Sequence, residues 1–182
     1  MDEDSSTALT VWRYDSALGA AAGEVRLKDL QQQGGLRVID AVTVTWVRGS
    51  DRPHVGHLLH HGPAAVAKGS ALGVLVGTLF LAPVVGAVAG GAAAELAERL
   101  KHSGLDETFL DEVKADIVPG SSALIVLSTT SDIDKVRPFI ERGVARGDVQ
   151  LKLVHLREDA PQELAELLSA AQRGDPGIAR SG

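Results

Sequence analysis

The chain has 182 residues, a formal net charge of −6 and no cysteine. Its length is sufficient for one domain with a buried core, and the lack of cysteine excludes a disulfide scaffold, thiol catalysis and cysteine-ligated metal centres. The acidic balance argues against non-specific binding of nucleic acid, which requires a basic surface.

The N-terminal residues predict a strand followed by a helix. Residues 7–14 (TALTVWRY) combine Val, Thr and aromatic side chains in an alternation typical of a strand. Ala17 to Gln33 is rich in helix formers, and Gly34-Gly35 is expected to end this helix. Asp15 and Ser16 are the candidate N-caps. Because the chain begins with acidic residues where a signal peptide would be basic, we expect a cytoplasmic protein.

A second and a third strand are predicted to lie side by side. Residues 36–47 alternate so that Val42, Val44 and Trp46 share one face. A turn follows at Gly49-Ser50-Asp51. Residues 53–59 are then expected to return as an edge strand beside the second strand.

The last third of the chain repeats the order of strand, helix and strand. Residues 121–129 form a nearly continuous apolar run, as in a central strand, and residues 149–156 alternate as another strand. Asp132 or Asp134 is expected to cap the helix between them. Four apolar residues of this helix have the spacing of a core-facing stripe: Val136, Phe139, Ile140 and Val144. A final helix is predicted over 162–172.

The two β-α-β units, residues 7–47 and 121–156, predict an α+β protein with the ferredoxin-like split βαβ fold. This fold is a four-stranded antiparallel sheet with two helices on one face. The residues between the units then form an insertion that contains a glycine-rich helical hairpin. The predicted segments are a disordered N-terminus (1–6), the first half with an extra edge strand (7–62), the hairpin (63–103), a short helix and turn (104–120), the second half with the C-terminal helix (121–173) and a disordered tail (174–182).

The glycine-rich insertion is the most unusual part of the sequence. Residues 69–94 carry no ionisable side chain, and as one straight helix they would extend about 39 Å, enough for a hydrocarbon core of roughly 30 Å. However, Gly and Ala outnumber the large apolar residues, and Pro83 near the centre disfavours a continuous helix. We therefore expect an antiparallel hairpin of two short helices, about 66–80 and 84–101.

Small residues recur at every fourth position of this hairpin and let two helices approach backbone to backbone. The larger apolar residues of the first helix lie on another face and need a partner: Leu72, Val76, Leu79 and Phe80. That partner could be the bilayer, the domain's own sheet or the same hairpin of another subunit. The candidate residues for oligomerisation or membrane contact are Gly69, Gly73, Gly77, Phe80, Pro83, Gly86 and Gly90.

Four histidines follow the turn after the second strand. Imidazole nitrogens bind Zn, Ni, Cu or Fe, but the residues of a strand alternate between faces, so these four would not converge. An exposed turn and edge strand is the favoured explanation, a metal site is the alternative, and a patch that gains charge between about pH 5 and 7 is a third possibility. The residues are His54, His57, His60 and His61.

Two motifs after the hairpin resemble a known family. Residues 104–109 (GLDETF) and 119–124 (PGSSAL) follow the glycine-rich segment, and this arrangement resembles the bacterial domain-of-unknown-function family 1269. Members of that family are often described as uncharacterised membrane proteins, so the resemblance implies an architecture and an association with membranes, but no activity. Read from the residues alone, Asp106 is a helix N-cap, the Pro-Gly pair is a turn, and Ser121 or Ser122 satisfies a nearby backbone group.

No cofactor is expected, because the glycines do not follow a phosphate-binding pattern. The carboxylates of Asp111, Glu112 and Asp116 are expected on a solvated helix face. We therefore expect a non-enzymatic protein that forms homo-oligomers, associates with membranes, or does both through the hairpin, and that does not bind nucleic acid. The alternative is a small-ligand or metal-binding regulatory domain that uses the sheet face or residues 54–61.

Overall fold

The computed structural model describes residues 7–58, 72–73, 76, 79–80, 105, 107–130, 133–145, 147 and 149–156. The predictions for residues 1–6, for the C-terminal helix and tail, and for most of the hairpin lie outside these residues. The described elements are β1 Thr7–Tyr14, α1 Gly19–Gln32, β2 Leu36–Thr45, β3 His54–His57, α2 Glu107–Asp116, β4 Ser122–Thr130, α3 Ile133–Ala145 and β5 Val149–His155. The described residues between 72 and 80 are also helical.

The five strands form one sheet in the order β3-β2-β4-β1-β5. Every neighbouring pair of strands is antiparallel, so β4 of the second β-α-β unit lies between the two strands of the first unit. The predicted α+β class is confirmed. The extra edge strand predicted beside β2 is also present, as the four residues of β3.

Strand β2 directs its apolar side chains to different faces of the sheet in its two halves. A β-bulge lies between Val38 and Asp40, where the register against β4 shifts. Before the bulge, Leu36 and Val38 contribute to one core cluster. After it, Val42 and Val44 contribute to the other, on the shared face predicted for them. Because one extra residue inverts the alternation of a strand, Asp40 lies on the same face as Val42 and Val44.

Helices cover both faces of the sheet. On the first, which we call the α1/α3 face, Leu27 of α1 and Val136 of α3 are packed in one core cluster with Trp12 of β1. On the second, the α2 face, Val113 of α2 and the helical residues between 72 and 80 belong to the other core cluster. Two helices do share one face, as predicted, but the opposite face is covered as well.

Two glycines allow α1 to approach the sheet closely. Gly19 and Gly23 lie four residues apart, and a methyl group added to either would overlap the side chain of Tyr14 on β1. The glycine-rich segment has small residues at the same spacing, and in α1 this spacing serves a contact within the chain. Sequence analysis did not identify this contact, because nothing in the sequence indicates which strand residue meets the helix.

The N-terminus of α1 is capped differently from the prediction. The residue before the helix is Leu18, and its side chain makes no capping bond. Ser16 Oγ accepts a hydrogen bond from the Leu18 N–H at 3.2 Å. The Ala20 N–H inside the first turn donates instead to Ser122 Oγ of β4 at 2.9 Å. A residue of the second β-α-β unit thus satisfies an amide that has no partner within its own helix. Of the two predicted caps, Ser16 bonds an amide just before the helix and not one within it.

The C-terminal end of α1 agrees with the prediction from the sequence, whereas the apolar side of α3 agrees only in part. Gly34 follows α1 with a φ of 67°, the left-handed conformation that favours glycine. In α3, Val136 is buried and Ile140 packs beside it, but Val144 is exposed, so its predicted place in the core was wrong. The Val144 carbonyl accepts a hydrogen bond from the Gly147 N–H in the turn to β5. The core-facing side of α3 therefore ends one turn earlier, at Ile140. The side chain of Phe139 lies outside the described residues.

Candidate functional site

The first half of the glycine-rich segment lies on the sheet of its own chain. Leu72 and Val76 are each 1% exposed and belong to the core cluster of the α2 face. Leu79 and Phe80 are partly buried and pack against the same cluster. Residues at this spacing lie on one side of a helix. The partner that these apolar side chains require is therefore the domain's own sheet.

A buried carboxylate fixes this segment to β2. Asp40 is buried beside the bulge, and its Oδ2 atom accepts a hydrogen bond from the Leu72 backbone N–H at 3.0 Å. A carboxylate is a charged acceptor, and hydrogen bonds to charged acceptors are stronger than those between neutral groups. A buried carboxylate in turn needs such bonds, because burial without them is costly. The bond ties the position of the segment to the position of the bulge.

The structure describes two of the seven residues predicted for oligomerisation or membrane contact. Gly73 is helical and partly buried, and Phe80 is partly buried against the core of the α2 face. The other five lie outside the described residues: Gly69, Gly77, Pro83, Gly86 and Gly90. Within the described part of the chain, no helix combines the length and the apolarity needed to cross a bilayer.

The histidine cluster is described only in part. His54 begins β3 opposite Thr45 and is exposed. The backbone of His57 ends the strand, while His60 and His61 lie outside the described residues. Among the side chains that the structure does describe, no group of three or more His, Asp or Glu residues could hold a metal ion.

The PGSSAL motif forms the turn into β4, and this turn is hydrogen-bonded to residues that follow β2 and α2. Gly120 has a φ of 96°, a conformation that L side chains rarely adopt, and its N–H donates to the Trp46 carbonyl at 2.6 Å. Ser121 Oγ accepts from the Val118 N–H at 2.9 Å and donates to the Val118 carbonyl at 2.7 Å. The predicted turn and the predicted backbone bond of Ser121 are both confirmed.

The second serine of this motif connects β4 to the loop before α1. Ser122 is fully buried; its Oγ donates to the Ser16 carbonyl at 2.6 Å and accepts from the Ala20 N–H at 2.9 Å. Backbone groups thus use the hydroxyl proton and one of the two lone pairs of Ser122 Oγ, which is typical of a structural serine. The motif that carries the family resemblance therefore stabilises the turn and the first helix.

A group of charged side chains fastens α2 to strand β5. Lys152 Nζ lies 2.7 Å from Glu112 Oε2 and 3.1 Å from Asp116 Oδ2. The hydrogen bond to Glu112 raises the pKa of the Lys152 ammonium above its ordinary value of 10.5, burial acts in the opposite direction, and Asp116 adds to the rise. These two carboxylates were expected on a solvated face; Glu112 is exposed and Asp116 is partly exposed, and both are also partners of a strand lysine.

Arg13 of β1 binds the C-terminal end of α2. Its Nε–H donates to the backbone carbonyl of Asp116, the last residue of α2, at 3.0 Å. Its Nη1 atom also lies 2.6 Å from Asp15 Oδ1. A cation at the carbonyl end of a helix is favourable, because those carbonyls carry partial negative charge. Each charge of this group faces an opposite charge, an arrangement typical of structural ion pairs.

Sequence reasoning did not identify Asp40, Arg13 or Lys152. Each is a charged residue in a strand in which apolar residues are the majority. Such a residue is the available signal, because its side chain needs a partner if it points to a covered face of the sheet. Its partner lies 32 residues away for Asp40 and 40 residues away for Lys152 and Glu112. Sequence periodicity gives no information on pairs at that separation.

Comparison with known proteins supports the resemblance carried by these motifs. A family model described as "Protein of unknown function (DUF1269)" matches residues 66–169, which is more than half of the 182 residues. The match covers the glycine-rich segment and both motifs, so the family predicted from them is confirmed. No curated protein and no solved structure matches the chain.

Proposed function

The chain belongs to the DUF1269 family of proteins of unknown function, and from this starting point we propose that it is a non-enzymatic protein that assembles with copies of itself through its glycine-rich helical hairpin. The domain that carries the hairpin is, in this proposal, a ferredoxin-like split βαβ sheet extended by β3. The strand order supports this fold, because β4 lies between β1 and β2 while β5 flanks β1. That is the order expected of two interleaved β-α-β units.

The observation that carries the proposal is the burial of Leu72 and Val76 on the sheet. Successive residues of a helix are about 100° apart around its axis. With Leu72, Val76 and Leu79 facing the sheet, Gly73 lies on a flank of the helix, and it is only partly buried. In the helix predicted over residues 66–80, Gly69 and Gly77 share that flank. A flank of glycines next to an anchored face is suited to close contact with another helix.

The same burial favours a protein partner over the bilayer for this half of the hairpin. Exposing a buried Leu or Val side chain to water costs about 1.5–3 kcal/mol, and this cost would apply to the apolar side chains of the sheet that the segment covers. Transfer of residues 72–80 to lipid would also expose the sheet residues beneath them and leave the Asp40 carboxylate without its bond to the Leu72 amide. The lipid would have to compensate for these losses, although over residues 69–94 as a whole Gly and Ala outnumber the larger apolar residues.

The test replaces the small residues of the hairpin and measures assembly. We expect Gly86→Leu/Gly90→Leu, with or without Gly73→Leu/Gly77→Leu, to reduce the mass of the wild-type oligomer measured by light scattering, because leucine separates the helix backbones. The matched control is Ala21→Leu/Ala22→Leu, two exposed small residues of α1, which should leave the mass unchanged. Circular dichroism establishes that each variant is folded.

Two outcomes would contradict this proposal. A wild-type chain that is monomeric in solution over the whole accessible concentration range would show that the hairpin does not mediate assembly there. Equal masses for the wild type and the Gly86→Leu/Gly90→Leu variant would show that assembly uses another surface. Recovery of the wild type only from the membrane fraction, in detergent, would favour lipid as the partner of the hairpin.

A further inference from the structure

The outer side of β5 presents backbone groups that no described strand pairs with. Among the described strands, β5 lies at the edge of the sheet, and it pairs with β1 on its inner side. At the end of this ladder the Leu156 N–H donates to the Thr7 carbonyl at 2.8 Å. Hydrogen-bonded residues alternate along an antiparallel ladder, so the even-numbered residues bond to β1. The backbone N–H and C=O groups that point outward belong to Val149, Leu151, Leu153 and His155.

β5 lacks the features that usually prevent an edge strand from pairing. Its sequence, VQLKLVH, contains no proline and no glycine, and its ladder with β1 has no bulge. A lysine often protects an edge, but the Lys152 ammonium is directed to Glu112 and Asp116 of α2. Leu153, in contrast, is 47% exposed. The edge thus combines outward backbone groups with an apolar side chain that has little cover.

We propose that β5 pairs in antiparallel orientation with β5 of a second copy of this chain, around a two-fold axis at Lys152. In this register Val149 lies opposite His155 of the second copy, and Leu151 lies opposite Leu153 of the second copy. Outward-facing residues therefore meet outward-facing residues, as an antiparallel ladder requires. All seven residues of the strand are used, whereas a shift by two residues would leave an end of each strand unpaired.

The side chains on both sides of the strand are compatible with this register. Leu151 already packs against the core of the α1/α3 face, and the pairing places the exposed Leu153 of the other copy beside it, an apolar cross-strand contact. The two Lys152 residues would meet at the axis, where like charges are unfavourable. Each of them is held by two carboxylates of its own α2, which offset that repulsion. Two five-stranded sheets would then form one continuous sheet.

This interface goes beyond the proposed function, because it involves no residue of the glycine-rich hairpin. A chain with both interfaces could form larger assemblies than dimers. The two proposals can fail separately. Substitutions in the hairpin leave the β5 edge intact, and a substitution at Leu153 leaves the hairpin intact.

The experiment compares Leu153→Lys with the wild-type full chain by light scattering over a range of concentrations. We expect the variant to lose the twofold increase in mass that edge pairing gives to the wild type, because each added ammonium would be placed in the new interface. The matched control is Val25→Lys, which makes the same kind of change at an exposed position of α1 (60% exposed). It should keep the wild-type mass. Leu153→Glu provides a second variant if Leu153→Lys does not fold.

Hydrogen exchange of single amides gives a readout specific to this register. In the wild type, the amides of Leu151, Leu153 and His155 should exchange fast in dilute solution and about tenfold more slowly once about nine-tenths of the chains are paired. The amides of Gln150, Lys152 and Val154 should be protected by β1 at every concentration. Concentration-independent mass of the wild type, an unchanged mass of Leu153→Lys, or protection of the outward amides in a monomer would each overturn the proposal. Protection of the outward amides in a monomer would show that another segment of the same chain pairs with the outer side of β5.

Discussion

At the scale of single residues, Asp40 and Ser122 have comparable roles. Each is a buried polar side chain on a strand, and each accepts a hydrogen bond from the amide of a helical residue that is distant in sequence. Buried acceptors of this kind stabilise the protein less by the bond itself than by the cost of leaving the amide without a partner. They therefore determine where Leu72 and Ala20 lie on the sheet.

Replacement of Asp40 tests this role. We expect Asp40→Ala to lower the free energy of unfolding by about 1–3 kcal/mol, because the buried bond between the carboxylate and the Leu72 amide would be lost. Asp40→Asn keeps an acceptor oxygen and should cost less. Asp51→Ala, at an exposed aspartate, is the control and should change stability by less than about 0.5 kcal/mol. Urea unfolding measures all three; equal losses for Asp40→Ala and Asp51→Ala would refute the assigned role.

At the scale of elements, α2 is positioned by charge as well as by its apolar face. Lys152 of β5 holds the side chains of Glu112 and Asp116, and Arg13 of β1 holds the carbonyl of the last residue. Glu112 is more than half exposed, so its pair with Lys152 contributes no more than about 1 kcal/mol. The group is therefore of more importance for the placement of α2 across β1 and β5 than for total stability.

The raised pKa of Lys152 has a predictable effect at high pH. Because the folded protein binds this proton more tightly than the unfolded chain, the extra stability is fully present below pH 10.5 and is lost as the pH rises through the raised pKa. We expect Lys152→Met to have a smaller alkaline loss than the wild type. Urea unfolding at pH 8 and at about pH 11 measures this difference. A wild type and a variant with the same alkaline loss would show that the pair does not persist in solution.

The elements themselves were largely predictable, whereas the contacts between them were not. The residues of β1 were predicted with the observed bounds, 7–14, because apolar and polar residues alternate there. The bulge beside Asp40 could not be predicted, since the extra residue is recognisable only against the partner strand β4. For the same reason the cap at Ala20, supplied by Ser122 from 102 residues away, could not be predicted. Local spacing determines local structure and leaves long-range pairs undetermined.

At the scale of the whole molecule, the sheet has helical cover on both faces, and part of one cover comes from the glycine-rich segment. The sequence indicated three partners for Leu72 and Val76, and the structure places both on the chain's own sheet. These two residues of the glycine-rich segment are thus part of the core.

The burial of Leu72 leads to a prediction for the stability of the fold. Leu72→Ala should lower the free energy of unfolding by about 2–5 kcal/mol, as at a fully buried leucine. Leu18→Ala is the matched control, because Leu18 is 78% exposed, and it should cost little. Both are measured by urea unfolding of the full chain. A Leu72→Ala variant as stable as Leu18→Ala would show that the segment does not rest on the sheet.

The hydrogen bond from the Leu156 N–H to the Thr7 carbonyl has one more consequence. It makes the first and last residues of the sheet direct neighbours, so the backbone nearly closes on itself where β1 begins and β5 ends. Circular permutation is tolerated where chain ends are close. A chain joined by a short linker from 156 to 7 and opened at the turn around Gly49 would keep every strand pair. The architecture therefore depends on the cyclic order of its strands and does not require β1 to be first.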